Sequence, residues 1–204
     1  MDAELARSGA AYHALSMPFY MENLLGQVDA IRDHGAFQLT YAADRPLLLI
    51  ATRDIAQTAA TLLSDRSWTG QANLPVFGAD RITPQEMAAE ISSVLGGPVT
   101  YRQSSLDDLA SMLAARGGSE QAIRDLTGML LAQDEGIYDA DWAAATPTAT
   151  DFRTWCETVL RPATSARRIT RQNGSVPQWL LDLAASSSDG VMISSATQRA
   201  TASG

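Results

Sequence analysis

The chain has 204 residues, of which 46% are hydrophobic and 19% are charged, the composition of a globular protein with a core. Its 15 basic and 23 acidic residues give a net charge of −8. This acidic balance excludes a nucleic-acid partner and an anionic membrane surface, because both require a basic face.

Residue types that are missing or rare narrow the chemistry further. Every basic residue is an arginine, so there is no lysine for a Schiff base, a phosphate-binding loop or a Tyr-x-x-x-Lys pair. Cys156 is the single cysteine, and a chain without an internal disulfide is expected in a reducing compartment. No apolar run resembles a signal peptide or approaches the roughly 18 to 20 residues that span a bilayer. These features predict a cytoplasmic protein with no membrane partner.

Hydrophobic spacing predicts alternating helices and strands, which is the pattern of an α/β fold. In chain order we expect a helix at 3–8, a strand at 12–17, a helix at 19–34, strands at 37–41 and 47–50, a helix from 54 to 62, a strand at 74–77, a helix at 84–95, a strand at 99–103, helices at 106–113 and 123–130, a loop at 136–150 and a helix from 152 to 159. The four aliphatic residues at 47–50 favour a strand buried on both faces, as in a parallel sheet. Residues 163–204 are rich in Ser, Thr, Ala and Arg, and we expect a disordered or loosely attached tail in which only 179–183 can pack.

Helix ends give the sharpest local signals. In Thr83-Pro84-Gln85-Glu86, the Thr83 hydroxyl can accept a hydrogen bond from a backbone N–H of the first turn, and the Glu86 carboxylate can reach back to the N-cap residue. Pro84 occupies a position where the backbone N–H would have no partner within the helix, so its missing N–H costs nothing. Asp54 is predicted to cap the helix that follows the strand at 47–50. The glycines at 9, 35 and 96 are predicted to end helices in the left-handed conformation.

Several motifs that carry chemistry are absent. There is no G-x-G-x-x-G turn for a pyrophosphate and no G-x-S-x-G elbow for a nucleophilic serine. His13 and His34 have no partners at metal-ligand spacing, so we interpret both as structural or surface residues. Cys156 is predicted to be a buried small hydrophobe, and the acidic pairs at 107–108 and 134–135 are predicted to be solvated or at helix ends. The residues alone therefore identify no catalytic group and no metal site.

Four segments, in order, resemble one family. Residues 15–25, LSMPFYMENLL, resemble the L-R-P-x-F-F-M-E-N signature of NmrA-like proteins, which are atypical short-chain dehydrogenases/reductases. Residues 51–62 are similar to the family's D-I-A strand-to-helix step, and Gly78 with residues 82–101 is similar to its T-x-x-E…L-G-x-P element. Residues 146–155 are similar to its closing helix. The resemblance covers residues 1–162.

The resemblance implies an α/β fold that is the C-terminal remainder of a Rossmann-type NmrA-like protein. It would hold the last parallel strands and a small substrate-side α/β subdomain at 1–162, with the tail at 163–204. The N-terminal βαβ units that bind the nucleotide would be missing. The strands at 12–17 and 47–50 would then lose their usual neighbours, which leaves costly unpaired edges.

The resemblance also implies the site. Ser16, Met17, Pro18 and Phe19 would form a wall beside the nicotinamide of NAD(P), and the residues implied for the substrate are Tyr20, Asn23, Tyr138 and Trp142. Ser16 stands where the family often has arginine, and one hydroxyl cannot replace a guanidinium. NAD(P) would be bound in full-length relatives and not by this chain alone, since the phosphate-binding turn is absent.

Two functions stay open from the sequence. The first is a truncated NAD(P)-dependent oxidoreductase-like chain, inactive alone, whose full-length relatives act on a small-molecule substrate. The alternative is a non-catalytic redox-sensing or regulatory module of the NmrA type, whose ligand is a partner protein.

Overall fold

The computed structural model describes residues 2–65 and 67–166, so the segment 179–183 and most of the predicted tail lie outside the described residues. The strands are β1 Tyr12–Ser16, β2 Phe19–Tyr20, β3 Ala36–Leu39, β4 Leu47–Ile50, β5 Gln71–Pro75, β6 Arg81–Ile82 and β7 Thr100–Gln103. The helices are α1 Asp2–Arg7, α2 Val28–His34, α3 Thr52–Ser64, α4 Pro84–Leu95, α5 Leu106–Ala115, α6 Glu120–Asp134, α7 Asp139–Ala144, α8 Phe152–Trp155 and α9 Arg161–Ser165. A 3₁₀ helix, Met21–Gln27, precedes α2, and a π-helical turn, Cys156–Leu160, joins α8 to α9.

Parallel pairing organises most of the strands. β1 pairs with β5, β2 with β4, and β3 with β7, all parallel, while β4 pairs with β6 in the antiparallel direction. All four residues of β4 are buried, as predicted for 47–50. The unpaired edge expected at 47–50 is contradicted, because β2 and β6 flank β4. Within the described ranges β1 has a partner, β5, on one side only.

The core lies between β4, α4 and the α8 segment. Its fully buried side chains include Phe37, Met87 and Trp155, and the Phe152 and Trp155 rings stack with centroids 5.9 Å apart. Cys156 is buried among them, as predicted. Burial, together with the nearby carboxylates of Glu90 and Glu157, raises the pKa of its thiol to about 12.

Five sequence-based predictions of element type or extent are wrong. The predicted helix at 19–34 is instead a two-residue strand, the 3₁₀ helix and α2, because Phe19 and Tyr20 pair with β4. The predicted strand at 74–77 begins and ends earlier, as β5, and the strand predicted at 37–41 ends at Leu39. The predicted loop at 136–150 contains α7, and the helical segment predicted at 152–159 continues through the π-helical turn and α9 to Ser165.

Asp54 does not cap α3. The N-cap is Ala51, and Asp54 lies in the first turn, where its carboxylate accepts hydrogen bonds from the Thr150 hydroxyl at 2.8 Å and the Thr150 N–H at 3.0 Å. Burial would raise the pKa of Asp54, but the threonine hydrogen bonds outweigh it and hold that pKa below its ordinary value. Asp54 therefore ties α3 to the segment before α8.

The predicted capping box is confirmed. The Thr83 hydroxyl accepts from the Glu86 N–H at 3.1 Å, and the Glu86 carboxylate accepts from the Thr83 N–H at 2.8 Å. The predicted glycine stops are confirmed too, since Gly9, Gly35 and Gly96 all have positive φ. These short-range signals set where α1, α2 and α4 begin or end.

Gly35 and Gly96 provide a matched test of these stops. A Cβ at Gly35 would lie 2.6 Å from the Pro98 carbonyl oxygen, whereas one at Gly96 would meet nothing within 4 Å. Gly96→Ala should therefore lower the free energy of unfolding by about 1 kcal/mol through backbone strain alone. Gly35→Ala should lower it by about 2 kcal/mol, because the contact adds to the same strain. Urea unfolding followed by circular dichroism measures both, and equal losses would contradict the contact.

Candidate functional site

The turn between β1 and β2 contains the four residues predicted to face a cofactor. Ser16 is buried, and its hydroxyl donates to the Asn73 amide oxygen at 2.6 Å, so the hydroxyl holds β1 against β5. The Met17 sulfur accepts from the Tyr20 hydroxyl at 3.7 Å. Pro18 and Phe19 are buried and face a pocket. The turn is therefore an apolar wall, and the Ser16 hydroxyl is already engaged in the fold.

An aromatic cluster lies beside this turn, formed by Tyr20, Phe77, Tyr138 and Trp142. Tyr138 and Trp142 meet the Phe77 ring edge to face, each with centroids 5.9 Å apart. Burial raises the pKa of Tyr20 and of Tyr138, and for Tyr138 the neighbouring Tyr20 adds to the rise. Both phenols therefore stay protonated at neutral pH and can donate hydrogen bonds.

A shallow depression, open to solvent and lined in part by Tyr138, adjoins the aromatic cluster, and we call it the pocket. Its apolar side consists of Pro18, Phe19, Pro46, Leu47 and Leu48, and its polar side of Arg45, Gln133, Tyr138 and Asp139. Three predicted site residues therefore come together here, since Pro18, Phe19 and Tyr138 all line the pocket. Tyr20 and Trp142 adjoin it through the aromatic cluster. Asn23, half-buried on the 3₁₀ helix, does not line it.

Two of the polar lining residues, Arg45 and Asp139, each pair with an oppositely charged side chain outside the lining. The Arg45 Nε lies 3.6 Å from the Asp134 carboxylate, and the Arg81 Nη2 donates to the Asp139 carboxylate at 3.2 Å. Arg45 also donates from Nη2 to the Gln133 carbonyl oxygen at 3.4 Å. Each arginine charge is therefore balanced by one aspartate charge. The contacts of Arg45 with Asp134 and with the Gln133 carbonyl oxygen are long for a guanidinium.

Sequence reasoning missed Arg45, Gln133 and Asp139. Arg45 precedes β4, Gln133 lies near the end of α6, and Asp139 begins α7. These segments are distant along the chain, and none has a motif that marks a binding residue. The one available signal was the Arg45-Pro46 step directly before a strand of four aliphatics.

No group of three or more His, Cys, Asp and Glu side chains lies close enough to hold a metal ion within residues 2–65 and 67–166. Across the same ranges, no helix is both long and apolar enough to cross a membrane. His34 is exposed on α2, and the His13 ring packs against Trp68 with centroids 4.3 Å apart, as the structural interpretation of both predicted.

Curated proteins similar in sequence include two oxidoreductases. The chain is 31% identical over 117 residues to the NAD(P)H azoreductase of Xenophilus azovorans, a match that covers 57% of this chain and 40% of that protein. It is 32% identical over 113 residues to quinone oxidoreductase 2 of Escherichia coli (strain K12), covering 55% of this chain and 39% of that one. The chain thus spans about two fifths of the length of these relatives. No model of a protein family matches it.

The fold is also similar to a solved reductase. The NADPH-dependent quinone oxidoreductase of Escherichia coli complexed with NADPH matches with a TM-score of 0.57 and 25% identity, over 80% of this chain and 56% of that one. The predicted α/β fold with parallel strands is therefore confirmed, and its relatives are NAD(P)H-dependent oxidoreductases. The assignment to the NmrA-like family and the site residues stay predictions.

Proposed function

We propose that this chain forms the substrate-side part of an NAD(P)H-dependent oxidoreductase of the NmrA-like type. The observation that carries the proposal is the pocket itself, whose lining brings the apolar residues Pro18 and Phe19 together with Tyr138. The names of the two curated relatives, an azoreductase and a quinone oxidoreductase, support a planar conjugated acceptor as the substrate.

The pocket fits one end of the cofactor that such enzymes use. A flat apolar wall beside hydrogen-bond donors suits a nicotinamide ring. The phosphates of the cofactor are not accommodated, because the sequence has no G-x-G-x-x-G turn whose backbone N–H groups could converge on a pyrophosphate. We therefore assign the nicotinamide wall to Pro18 and Phe19, and we expect a separate nucleotide-binding segment to hold the phosphates.

The residues of this chain would act by positioning and by excluding water. A reduced nicotinamide, when bound, supplies the hydride. The Tyr138 phenol stays protonated and can donate a hydrogen bond to an acceptor oxygen or nitrogen, which favours negative charge there. The aromatic cluster adjoins the pocket through Tyr138, whose ring offers a surface against which a planar molecule can pack.

Isothermal titration of the 204-residue chain with 1,4-naphthoquinone tests the proposal. We expect saturable binding to the wild type and at least about fivefold weaker binding to Tyr138→Ala, because the variant loses a ring and a donor. Tyr12→Ala is the matched control, since Tyr12 lies on β1 outside the pocket. Absence of quinone binding, or equal losses in both variants, would overturn the proposal.

A parallel titration with NADPH tests the expectation for the phosphates. Binding in the millimolar range or weaker is expected, because no backbone cradle for a pyrophosphate is present in the sequence. Micromolar, stoichiometric binding would show that the chain binds the whole cofactor, and it would contradict the expectation that a separate segment binds the phosphates.

A further inference from the structure

We propose that the pocket selects acceptors that carry an oxyanion, such as a carboxylate, sulfonate or phosphate, and that Arg45 is the residue that recognises it. This inference rests on the proposed function, because it names the class of substrate that the same pocket takes. The polar side of the pocket brings together hydrogen-bond donors that no sequence motif marks.

The Arg45 guanidinium is incompletely satisfied. Its Nε atom is buried and has no hydrogen-bond partner, and the nearest carboxylate oxygen, on Asp134, lies 3.6 Å away, beyond hydrogen-bond range. The bond from Nη2 to the Gln133 carbonyl oxygen is long, at 3.4 Å. A guanidinium has five N–H donors that suit an oxyanion, so a ligand oxyanion at ordinary distance would satisfy Arg45 better than Asp134 does.

Gln133 adds a second donor whose direction is fixed by a buried neighbour. The hydroxyl of Tyr41, a fully buried residue, donates to the Gln133 Oε1 at 2.7 Å. Burial keeps that phenol protonated by raising its pKa, so the bond to Oε1 persists at neutral pH. The oxygen end of the amide is therefore occupied, and the NH₂ end is left to donate.

Tyr138 supplies the third donor, so the groups that face a ligand are mostly hydrogen-bond donors. The one carboxylate that lines the pocket, on Asp139, is bound by Arg81 at 3.2 Å. Asp134 is more exposed than Arg45, at 47% against 22% of the side chain, and can turn to solvent when a ligand oxyanion replaces it. A cationic ligand would find no free acceptor of comparable strength among these residues.

Paired ligands that differ in one group test this inference. Titration of the 204-residue chain with 1,4-naphthoquinone and with 1,4-naphthoquinone-2-sulfonate compares a neutral and an anionic acceptor of the same ring system. We expect the sulfonate to bind at least about tenfold tighter in low salt, and the preference to shrink as the salt concentration rises, because screening weakens a partly exposed ion pair.

Variants then assign the preference to Arg45. Arg45→Gln should lose the sulfonate preference and bind the two quinones with equal affinity. Arg45→Lys should keep part of the preference, because it retains the charge without the planar fork. The control is Arg53→Gln, whose side chain on α3 is 63% exposed and lies outside the pocket.

Each outcome decides between the two proposals. Equal affinity for the two quinones in the wild type, or a preference retained in Arg45→Gln, overturns the oxyanion inference and leaves the proposed function standing. Failure of both ligands to bind overturns both. If Arg45→Gln does not fold, the wild-type preference, its salt dependence and the Arg45→Lys result still decide the inference.

Discussion

Replacing Gly78 by alanine is expected to lower the free energy of unfolding by about 3 kcal/mol or more. An added Cβ would lie 2.6 Å from the Leu49 carbonyl oxygen and 3.5 Å from the Ile50 Cα. The Gly78 N–H also donates to that carbonyl at 2.7 Å, so the two backbones cannot separate without breaking the bond. β4 cannot yield, because it is buried and paired on both sides.

Gly97→Ala is the control for this experiment, since a Cβ there meets nothing within 4 Å and the residue has an ordinary φ. We expect Gly97→Ala to change stability by no more than about 0.5 kcal/mol. Urea unfolding of both variants gives the comparison. Similar midpoints for the two variants would mean that the approach of Gly78 to β4 is looser than described.

The consequence of Gly78→Ala should extend to the pocket. Phe77, the preceding residue, holds Tyr138 and Trp142 in the aromatic cluster, and its carbonyl accepts from the Thr148 N–H at 2.8 Å. A shift of this backbone moves the ring on which both neighbours pack. Where the variant still folds, we expect its affinity for 1,4-naphthoquinone to fall at least about tenfold.

Elements whose signals are local could be predicted from the sequence. The capping box at Thr83 and Glu86 and the stops at Gly35 and Gly96 each depend on residues within one turn, so the sequence contains the whole interaction. The buried strand at 47–50 was predictable because a run of four aliphatics has few other uses in a soluble fold.

Features that depend on distant partners could not be predicted. Asp54 has the chemistry of a cap, but Thr150, 96 residues away, takes its carboxylate, and no local pattern shows this. Phe19 and Tyr20 fit a helical spacing, yet pairing with β4 makes them a strand. The pocket is harder still to predict from the sequence, because Arg45, Gln133 and Asp139 come from three segments that only the tertiary structure brings together.

The second large effect is expected at Glu22, in the M-E-N part of the segment that resembles NmrA-like proteins. Its carboxylate accepts from the Trp155 indole N–H at 3.1 Å and from the Thr52 N–H at 3.0 Å. Trp155 is fully buried, and Thr52 begins α3, so one side chain joins the 3₁₀ helix, α3 and α8. This geometry explains the motif glutamate by the fold rather than by cofactor chemistry.

Glu22→Ala should therefore lower the free energy of unfolding by about 3 kcal/mol, because it removes two bonds to a charged acceptor and leaves a buried indole N–H unsatisfied. Glu22→Gln should lower the free energy of unfolding by about half as much, because its amide keeps one oxygen acceptor and places an NH₂ group where the second acceptor stood. Glu120→Ala, with a side chain 92% exposed on α6, is the surface control and should change stability by less than about 0.5 kcal/mol. The urea midpoint should be highest for Glu120→Ala, lower for Glu22→Gln and lowest for Glu22→Ala. A Glu22→Ala midpoint equal to that of the control would show that Glu22 does not bridge these helices in solution.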